Sequence, residues 1–346
     1  MKELCVDARL ITSSGIGTYL KNLLPRLAQC FNLRLIVSPS APKKIAWLSS
    51  YELIFSAAPL YSVQEVLALP FAIPRCDVFW SPHYNVPLLP IRAGKRVVTI
   101  HDAYHLAFFS SLTLPQKLYA KALFPAAIKY SDLVVTDSWF SHGEILKYTR
   151  VKKDRLHVAY LGVDREIFHE HVDAAKRHTL RLPEKFALFV GNVKPHKNVR
   201  GLIAAAKHIG CPLVVVGQRK GLITQENLPE ESALFLENVE DAELPHLYRL
   251  AAVTVLPSFY EGFGLPALEA MSCGCPVIVS HLPSLREVCG DAALYVDPHS
   301  PQNMADTLAL VWGDPMLQGT LRKKGIEKSL TFCWNECAQK HIEWFS

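Results

Sequence analysis

The chain has 346 residues, half of them hydrophobic and one fifth charged, which predicts a globular protein long enough for two domains of ordinary size. Its nine cysteines follow no regular spacing, and an odd count without a secretory leader argues against a disulfide-stabilised secreted protein and for a cytoplasmic one. No run of about eighteen uncharged apolar residues is present, so a membrane-spanning segment is excluded as well.

Charge is distributed unevenly along the chain. Residues 1–165 contain 20 Lys and Arg against 11 Asp and Glu, a net charge of +9, whereas the remainder carries −4. A basic half can meet phosphate groups on a lipid-linked acceptor, an anionic membrane surface or nucleic acid. The basic residues form no dense run and accompany no nucleic-acid-binding motif, which argues against nucleic acid. Three interpretations stay open: phosphate groups on a lipid-linked acceptor, peripheral contact with the anionic inner face of a membrane, and a solvated surface without a partner.

The first half of the chain alternates short apolar strands with amphipathic helices. Residues 4–7 are predicted to form a buried strand, followed by a loop with Gly15 and Gly17 and a helix over 18–30. Further strands are predicted over 33–37, 78–81, 96–99 and 133–136, and further helices over 115–130 and 138–148. This order predicts a doubly wound, Rossmann-like α/β domain.

A second strand-first series begins after the charged segment 165–184, where we place a domain boundary. The expected domains are therefore residues 1–165 and 166–325, followed by a terminal helix over 326–346. Two Rossmann-like domains that face each other commonly bind a ligand in the cleft between them. Strands are predicted over 186–191, 213–217, 233–236, 253–257, 276–279 and 293–296, and helices over 198–209, 242–250, 265–272 and 303–312.

Residues 253–280 form a strand, loop, helix and strand cassette with two carboxylates, Glu261 and Glu269. Pro266 suits the first helical turn, where a missing N–H is tolerated. The helix N-terminus would present N–H groups and the positive end of its dipole at the carboxyl edge of the sheet, where they can hold phosphate or sugar oxygens. One carboxylate could bind sugar hydroxyls and the other a ribose diol. The alternative is a capping carboxylate and a surface glutamate.

The segment P-S-x-x-E-G-F-G-L-P-x-L-E-A-M-x-x-G-x-P-V-I over residues 257–278 resembles the E-x7-E region of the family 4 retaining glycosyltransferases. The resemblance implies the GT-B fold of two facing Rossmann-like domains, with the last helix packed back onto the first. It also implies that Glu261 contacts the transferred sugar and Glu269 the ribose. Backbone N–H groups that hold sugar and phosphate are then expected at Phe263, Gly264 and Leu265.

The segment 191–198, G-N-V-K-P-H-K-N, follows a predicted strand and opens a helix, with Asn198 as the expected N-cap. It resembles the family's V-G-x-x-x-P-R-K-N loop, which implies that Lys197 binds the donor diphosphate. His196 stands where arginine is common, and its role stays open because histidine is neutral near pH 7 unless its pKa is raised. Without the resemblance, a solvated basic helix start would be the simpler interpretation.

Three shorter segments resemble the family as well. Gly15 and Gly17 match a glycine loop near the donor diphosphate, His101 matches a histidine near the reacting sugar, and Val239 lies in a turn whose backbone contacts the base. Each is weak alone, because a G-x-G is commonly just a turn and a histidine at a strand end is commonly structural. Asp102 would then orient the His101 ring.

The resemblance implies retaining transfer of a hexose from a nucleotide diphosphate sugar to a glycan or lipid-linked glycan acceptor. Fixed cations and helix N-termini stabilise a departing diphosphate without reorganisation. No Asp-x-Asp cluster lies beside the basic loop, so neither a metal nor another cofactor is expected.

The G-I-G-T-Y and K-P-H-K-N segments resemble bacterial mannosyltransferases of surface polysaccharide and lipopolysaccharide assembly, which makes GDP-mannose the first donor to consider and UDP-glucose the second. Two alternatives stay open on the same fold, a nucleotide-sugar epimerase and a non-catalytic sugar-nucleotide-binding protein. A Rossmann dehydrogenase is disfavoured, because neither glycine loop reads G-x-G-x-x-G with an acidic residue about twenty positions on.

Overall fold

The computed structural model describes residues 1–171, 181–218 and 228–346. The chain divides into two compact units, Met1–Gly162 with Trp334–Ser346, and Val163–Cys333. The first change of unit therefore falls just before the expected boundary at 165. Residues 172–180 of the charged segment used to place that boundary lie outside the described residues.

The chain returns to the first unit at Trp334 rather than at residue 326. The helix Pro315–Ser329 belongs to the second unit, and its Gly325 lies so close to Met271 that an added Cβ would be 3.2 Å from the Met271 Cγ. This close packing places the whole of that helix in the second unit, so only the last helix joins the first.

Within residues 1–162, all of which are described, seven strands form a parallel sheet. Its strand order is β3-β2-β1-β4-β5-β6-β7, so the order reverses between β1 and β4. Ligands bind at the carboxyl ends of the strands beside such a switch point. The strands are β1 (Lys2–Asp7), β2 (Phe31–Val37), β3 (Glu52–Phe55), β4 (Cys76–Ser81), β5 (Ala93–Thr99), β6 (Leu133–Thr136) and β7 (Leu156–Val158).

Side chains cap several helices of this unit, which explains where they begin. Thr113 and Gln116 form a reciprocal capping box at α5, and the Ser62 and Ser138 hydroxyls accept N–H bonds at the starts of α3 and α6. The helices are α1 (Ser14–Leu27), α2 (Ala41–Lys44), α3 (Val63–Ala72), α4 (Tyr104–Ala107), α5 (Leu114–Tyr130) and α6 (Trp139–Tyr148).

The sequence predicted the central strands of this sheet and missed its edges. Strands β3 and β7 have four and three residues, too few to show a periodic pattern, and α3 contains Pro70, which argues against a helix from sequence. The prediction of a glycine loop before α1 was wrong, because Gly15 and Gly17 lie inside its first turn. An added Cβ on Gly17 would be 2.6 Å from the Ile11 carbonyl oxygen, so this turn requires glycine for the close approach of the two backbones.

In the described part of the second unit, six parallel strands form a sheet in the order β10-β9-β8-β11-β12-β13. The central strands β11 and β12 are buried along their whole length, as their V-T-V-L and V-I-V-S sequences predict for a parallel sheet covered on both faces. The strands are β8 (Ala187–Val190), β9 (Leu213–Val216), β10 (Leu234–Leu236), β11 (Val253–Leu256), β12 (Val277–Ser280) and β13 (Leu294–Val296).

Helices of the second unit separate these strands and pack on the sheet. Apolar side chains of α7 and α11 pack with β8, β9, β11 and β12 in one buried cluster. Among the described residues of the second unit, the helices are α7 (Val199–His208), α8 (Leu244–Leu250), α9 (Leu265–Ser272), α10 (Pro283–Cys289), α11 (Pro301–Gly313) and α12 (Pro315–Ser329). Helix α13 (Trp334–Phe345) belongs to the first unit.

Helix α13 packs against α1 through a buried polar cluster. The Tyr19 hydroxyl lies 2.7 Å from His341 Nε2 and 3.2 Å from Thr99 Oγ1, and Trp80 Nε1 donates to Thr99 Oγ1 at 3.0 Å. His341 Nδ1 contacts the Cys337 carbonyl at 2.7 Å. A carbonyl only accepts, so Nδ1 carries the proton and Nε2 accepts from Tyr19. The network ties the end of the chain to the sheet.

Among the described residues, none of the helices combines the length and the apolar character that crossing a bilayer requires.

Candidate functional site

The cassette predicted from the sequence is present and opens toward the carboxyl ends of β11 and β12. Gly264 precedes α9 with φ 98° and ψ 47°, a left-handed conformation that favours glycine. An added Cβ there would be 2.5 Å from Leu285 Cδ2, so a larger residue would also have to displace the end of this leucine side chain. The first intrahelical bonds run from Ala267 and Leu268 to the Gly264 carbonyl. The N–H groups at the helix start, including that of Leu265, have no intrahelical partner and suit an anion.

Glu261 lies in the loop before this helix and is held from several sides. Its Oε1 accepts from Lys197 Nζ at 2.5 Å and from Ser258 Oγ at 3.0 Å. Ser284 Oγ, in the first turn of α10, donates to the Glu261 main-chain carbonyl at 2.6 Å. The Glu261 and Lys197 side chains are 11% and 22% exposed. The structure therefore brings a cation and a carboxylate together in a largely desolvated but open position.

Lys197 reaches Glu261 because two loops of neighbouring strands are joined. Residues Pro195–Lys197 form a single 3-10 turn after β8. In the loop after β11, the Phe259 N–H donates a hydrogen bond of 2.8 Å to the main-chain carbonyl of His196, which is half-buried. This main-chain bond sets the Lys197 turn beside the loop that carries Glu261. His196 thus contributes to the site through its backbone.

Asn198 immediately precedes α7, but the prediction that its side chain caps this helix was wrong. The residue is left-handed, with φ 54°, and its Nδ2 donates instead to the Pro298 carbonyl at 2.9 Å. A capping side chain needs an extended backbone at the N-cap, which a left-handed residue does not have. Through this hydrogen bond Asn198 links the turn Pro195–Lys197 to the loop after β13.

Glu269 is the fifth residue of α9 and is buried. Burial raises the pKa of its carboxyl to about 7, against the opposing effect of the Tyr248 hydroxyl, which donates to Oε2 at 2.8 Å. Glu261 and Glu269 therefore have different environments, one beside an ammonium group and one in an apolar setting with a single phenol donor. The two carboxylates cannot perform the same task.

The remaining predicted donor residues of this unit lie around the same elements. Phe263 is buried, with its ring edge-to-face against Phe332 at 5.8 Å. Val239 is half-buried and follows Asn238, a left-handed residue with φ 60° just after β10. A left-handed residue turns the chain sharply, so the chain changes direction at Asn238.

His101 belongs to the first unit and follows β5. Its Nδ1 lies 2.6 Å from Asp137 Oδ2 and its Nε2 lies 3.0 Å from the Pro82 carbonyl. Burial acts to lower the pKa of His101, but the charge and hydrogen bond of Asp137 and the Pro82 carbonyl outweigh it and raise the pKa. Two oxygen acceptors, one on each ring nitrogen, favour the doubly protonated imidazolium. The contacts of the His101 ring therefore favour its charged form.

Asp102 does not orient His101, contrary to the prediction from sequence. Its Oδ1 accepts from the Tyr104 N–H at 2.8 Å and so begins α4, while Asp137 contacts the ring. Asp137 directly follows β6, the neighbour of β5, so the two residues meet at the same sheet edge. The Tyr19 ring lies edge-on to His101, with centroids 5.0 Å apart.

Sequence reasoning missed four residues that hold the predicted ones, namely Ser258, Ser284, Tyr248 and Asp137. Ser258 carried a signal, because it stands in the quoted P-S-x-x-E segment. Asp137 carried a weaker one, as a buried acid directly after an apolar strand. Tyr248 and Ser284 show no such signal, since each comes from a helix whose orientation the sequence does not give.

The predicted residues fall into two groups by unit. Gly15, Gly17 and His101 belong to the first unit, and the structure places Tyr19, one helical turn after Gly15, against His101. The others, from His196 to Glu269, belong to the second unit.

Two sequence families match consecutive parts of the chain. Residues 13–167 match the family described as Glycosyltransferase Family 4, and residues 173–328 match Glycosyl transferases group 1. The first match covers most of the first unit, and the second match covers most of the second unit.

Curated relatives include two enzymes of O-antigen assembly. The chain is 30% identical to O-antigen chain mannosyltransferase B of Escherichia coli, over 77% of this chain and 73% of that protein. It is 30% identical to O-antigen chain mannosyltransferase RfbU of Salmonella typhimurium, over 63% of this chain and 60% of that protein. A D-inositol 3-phosphate glycosyltransferase of Corynebacterium glutamicum is 26% identical over 69% of this chain and 64% of its own length.

Solved structures share the whole fold. A sucrose-phosphate synthase from Thermosynechococcus elongatus superposes with a TM-score of 0.81 at 20% identity, covering 100% of this chain and 98% of that one. Anabaena HepE in complex with UDP and glucose superposes with a TM-score of 0.79 at 16% identity, covering 99% of each chain. At these identities the likeness concerns the fold.

Proposed function

Because the chain belongs to glycosyltransferase family 4 and has the GT-B fold, we propose that this glycosyltransferase moves mannose from GDP-mannose, with retention of configuration, to a glycan or lipid-linked glycan acceptor. The acceptor belongs to a bacterial surface polysaccharide of the O-antigen kind, as in the two enterobacterial relatives. UDP-glucose is the second donor to test, since HepE, which has the same fold, is described with UDP and glucose.

The observation that carries this proposal is the contact between Lys197 and Glu261 beside the start of α9. When the bond between sugar and diphosphate breaks, negative charge grows on the diphosphate and positive charge on the sugar. An ammonium group and a helix N-terminus stabilise the first, and a carboxylate suits the hydroxyls and the positive charge of the second. Both groups lie beside this helix start before the donor binds, so the rearrangement that the proposal requires of them is the exchange of their contact with each other.

Lys197 exchanges partners in the proposed reaction. In this structure its ammonium group contacts Glu261, and a bound diphosphate would offer more negative charge at the same place. Glu261 then turns to the sugar hydroxyls while Ser258 and Ser284 hold its side chain and backbone. We propose that this fixed charge makes a metal ion unnecessary for departure of the diphosphate.

Glu269 holds the ribose in this proposal. A carboxylate whose second oxygen is engaged by Tyr248 retains lone pairs for the vicinal hydroxyls of a ribose. Glu269 lies one turn inside α9, so we expect the ribose to lie farther along this helix than a diphosphate held at the helix start.

Thermal-shift measurements with GDP-mannose, GDP, UDP-glucose and UDP test the donor. A ligand at one hundred times its Kd stabilises the folded protein by about 2.7 kcal/mol, so we expect GDP-mannose and GDP to raise the Tm and the uridine compounds to leave it near its starting value. The opposite ranking would assign UDP-glucose as the donor.

A transfer assay distinguishes the other functions possible on this fold. Purified protein incubated with the donor alone should release nucleotide diphosphate slowly, and faster once a glycan acceptor is added. An epimerase would instead form a new sugar nucleotide without an acceptor. A non-catalytic protein would bind the donor and release nothing, and either outcome would overturn the proposal.

A further inference from the structure

Helix α3 exposes a continuous apolar stripe. Val63, Leu67 and Phe71 repeat every fourth residue, so they lie on one helical face, and between 55% and 84% of each is exposed. The opposite face is buried, with Leu69 packed on the sheet against Cys5 and Phe79. Single exposed apolar residues are ordinary, but a stripe of large ones marks an interaction surface.

Helix α5 exposes a second stripe of the same kind. Leu114 and Leu118 are 70% and 61% exposed, and Lys121 and Lys129 are exposed on the same side of the helix. The inner face is buried, with Phe124 and its apolar neighbours packed in a cluster that includes Val98 and Val134.

Both helices cover the same face of the first sheet. Phe79, under α3, points to the same side as Ser81 because they are two residues apart in β4. Ser81 pairs with Val98, which lies under α5, and paired residues of parallel strands share a face. The helix starts are also joined, since the Tyr61 and Tyr119 ring centroids are 5.8 Å apart. We call the outer side of these two helices the α3–α5 surface, defined by Val63, Leu67, Phe71, Leu114, Leu118, Lys121 and Lys129.

The charge of this surface is of one sign. Between Asp102 and Asp132 the sequence has no acidic residue but has three lysines, and Lys121 lies 5.5 Å from the centre of the Phe109 ring. The one acid of α3, Glu65, is buried and paired with Arg9. Neither helix therefore presents a carboxylate to solvent.

We propose that the α3–α5 surface docks this protein on an anionic phospholipid bilayer. Large apolar side chains enter the boundary between head groups and acyl chains, and lysines beside them are attracted to lipid phosphates. A second copy of the chain fits less well, because a symmetric contact through this surface would set its lysines against themselves. The docking depends on the first unit alone and is independent of which sugar is transferred.

Co-sedimentation of the full chain with vesicles tests the proposal. We expect binding to phosphatidylcholine vesicles that contain about one third phosphatidylglycerol, and at least about tenfold weaker binding to phosphatidylcholine alone. Leu67→Ser with Phe71→Ser should weaken binding to the anionic vesicles about tenfold or more, and so should Lys121→Gln with Lys129→Gln.

Matched variants control for a general loss of surface apolarity or charge. Leu310→Ser with Met316→Ser, at exposed positions of the second unit, and Lys207→Gln with Lys323→Gln should bind vesicles as the unaltered protein does. All variants should keep the Tm and the thermal shift with donor, which separates failure of docking from failure of the proposed transfer function.

Three results would overturn the proposal. The first is no binding to anionic vesicles, and the second is equal loss in the control and α3–α5 variants. The third is a dimer in solution that the Leu67 and Phe71 substitutions convert to a monomer, which would assign the surface to a second copy of the chain. Light scattering during size-exclusion chromatography measures this third outcome.

Discussion

Lys197 Nζ lies 2.5 Å from Glu261 Oε1, although the two residues are 64 positions apart in the sequence. Both side chains are mostly shielded from solvent, so neither is an ordinary surface charge. An ion pair at this depth gives little net stability, because removing both charges from water offsets much of their attraction. Its position between two strand ends is better explained by what it can bind than by what it stabilises.

Replacing either member should therefore remove function before it removes the fold. We expect Lys197→Ala and Glu261→Ala each to lower transfer by about a hundredfold or more, the usual scale for losing one fixed electrostatic stabiliser. Lys207→Ala, on the exposed side of α7, should retain full turnover. Steady-state kinetics and circular dichroism of the purified variants measure both properties, and near-normal turnover in the two site variants would refute the assignment.

The environment of Glu269 predicts a pH dependence of donor binding. Since burial raises the pKa of this carboxyl to about 7, lowering the pH through 7 protonates it and removes acceptors for the ribose hydroxyls. The donor KM should rise below pH 7, with a smaller change in kcat. Glu269→Gln should flatten this profile, and a profile that keeps its shape in that variant would show that another group titrates.

Tyr248 supplies an internal check on that interpretation. Its hydrogen bond lowers the pKa of Glu269, so Tyr248→Phe should raise that pKa further and move the rise in KM to higher pH. The substitution keeps the ring that packs beside Phe168. A profile that moves to lower pH would contradict the proposed hydrogen-bond role.

The charge state of His101 should depend on Asp137 and little on Asp102. In Asp137→Asn the carboxylate that offsets burial is lost, so the pKa of His101 should fall. Asp102→Asn should change it far less, since that carboxylate accepts from Tyr104. Nuclear magnetic resonance titration of labelled histidine distinguishes the two, and equal shifts in both variants would be inconsistent with the structure.

The sequence predicted the local structure of the cassette closely, because the cassette is continuous in the chain. The helix Leu265–Ser272 has the bounds expected for it, and Gly264 and Pro266 indicated its start through simple backbone chemistry. The hydrogen bonds from Ser284 to Glu261 and from Tyr248 to Glu269 depend on how separate helices pack. No local sequence pattern encodes this packing.

The wrong predictions for Asp102 and Asn198 share a physical cause. Asp102 is next to His101 in sequence, but consecutive residues after a strand diverge, whereas the ends of adjacent parallel strands converge on Asp137. Asn198 has a side chain suited to capping, yet its backbone is left-handed and its amide is used by Pro298. In both cases a tertiary contact prevailed over a valid local preference.

Buried His341 should make the first unit sensitive to acid. Burial lowers the pKa of this imidazole to about 4, whereas a histidine in an unfolded chain titrates near 6.5. Between these values the unfolded state binds a proton that the folded state does not, so stability falls as the pH drops from 6.5 toward 4. At pH 5 the loss is about 2 kcal/mol for the unit that contains it.

A variant that lacks only His341 separates this effect from general acid denaturation. In His341→Gln the amide can still accept from Tyr19, so the variant should fold, but its Tm should fall less between pH 7 and pH 5 than that of the unaltered protein. His208→Gln, at an exposed position, should leave the slope unchanged. If His341→Gln and His208→Gln lose the same Tm between pH 7 and pH 5, the buried His341 imidazole is not the titrating group. The network that joins α13 to Tyr19 would then not be the acid-sensitive element of the first unit.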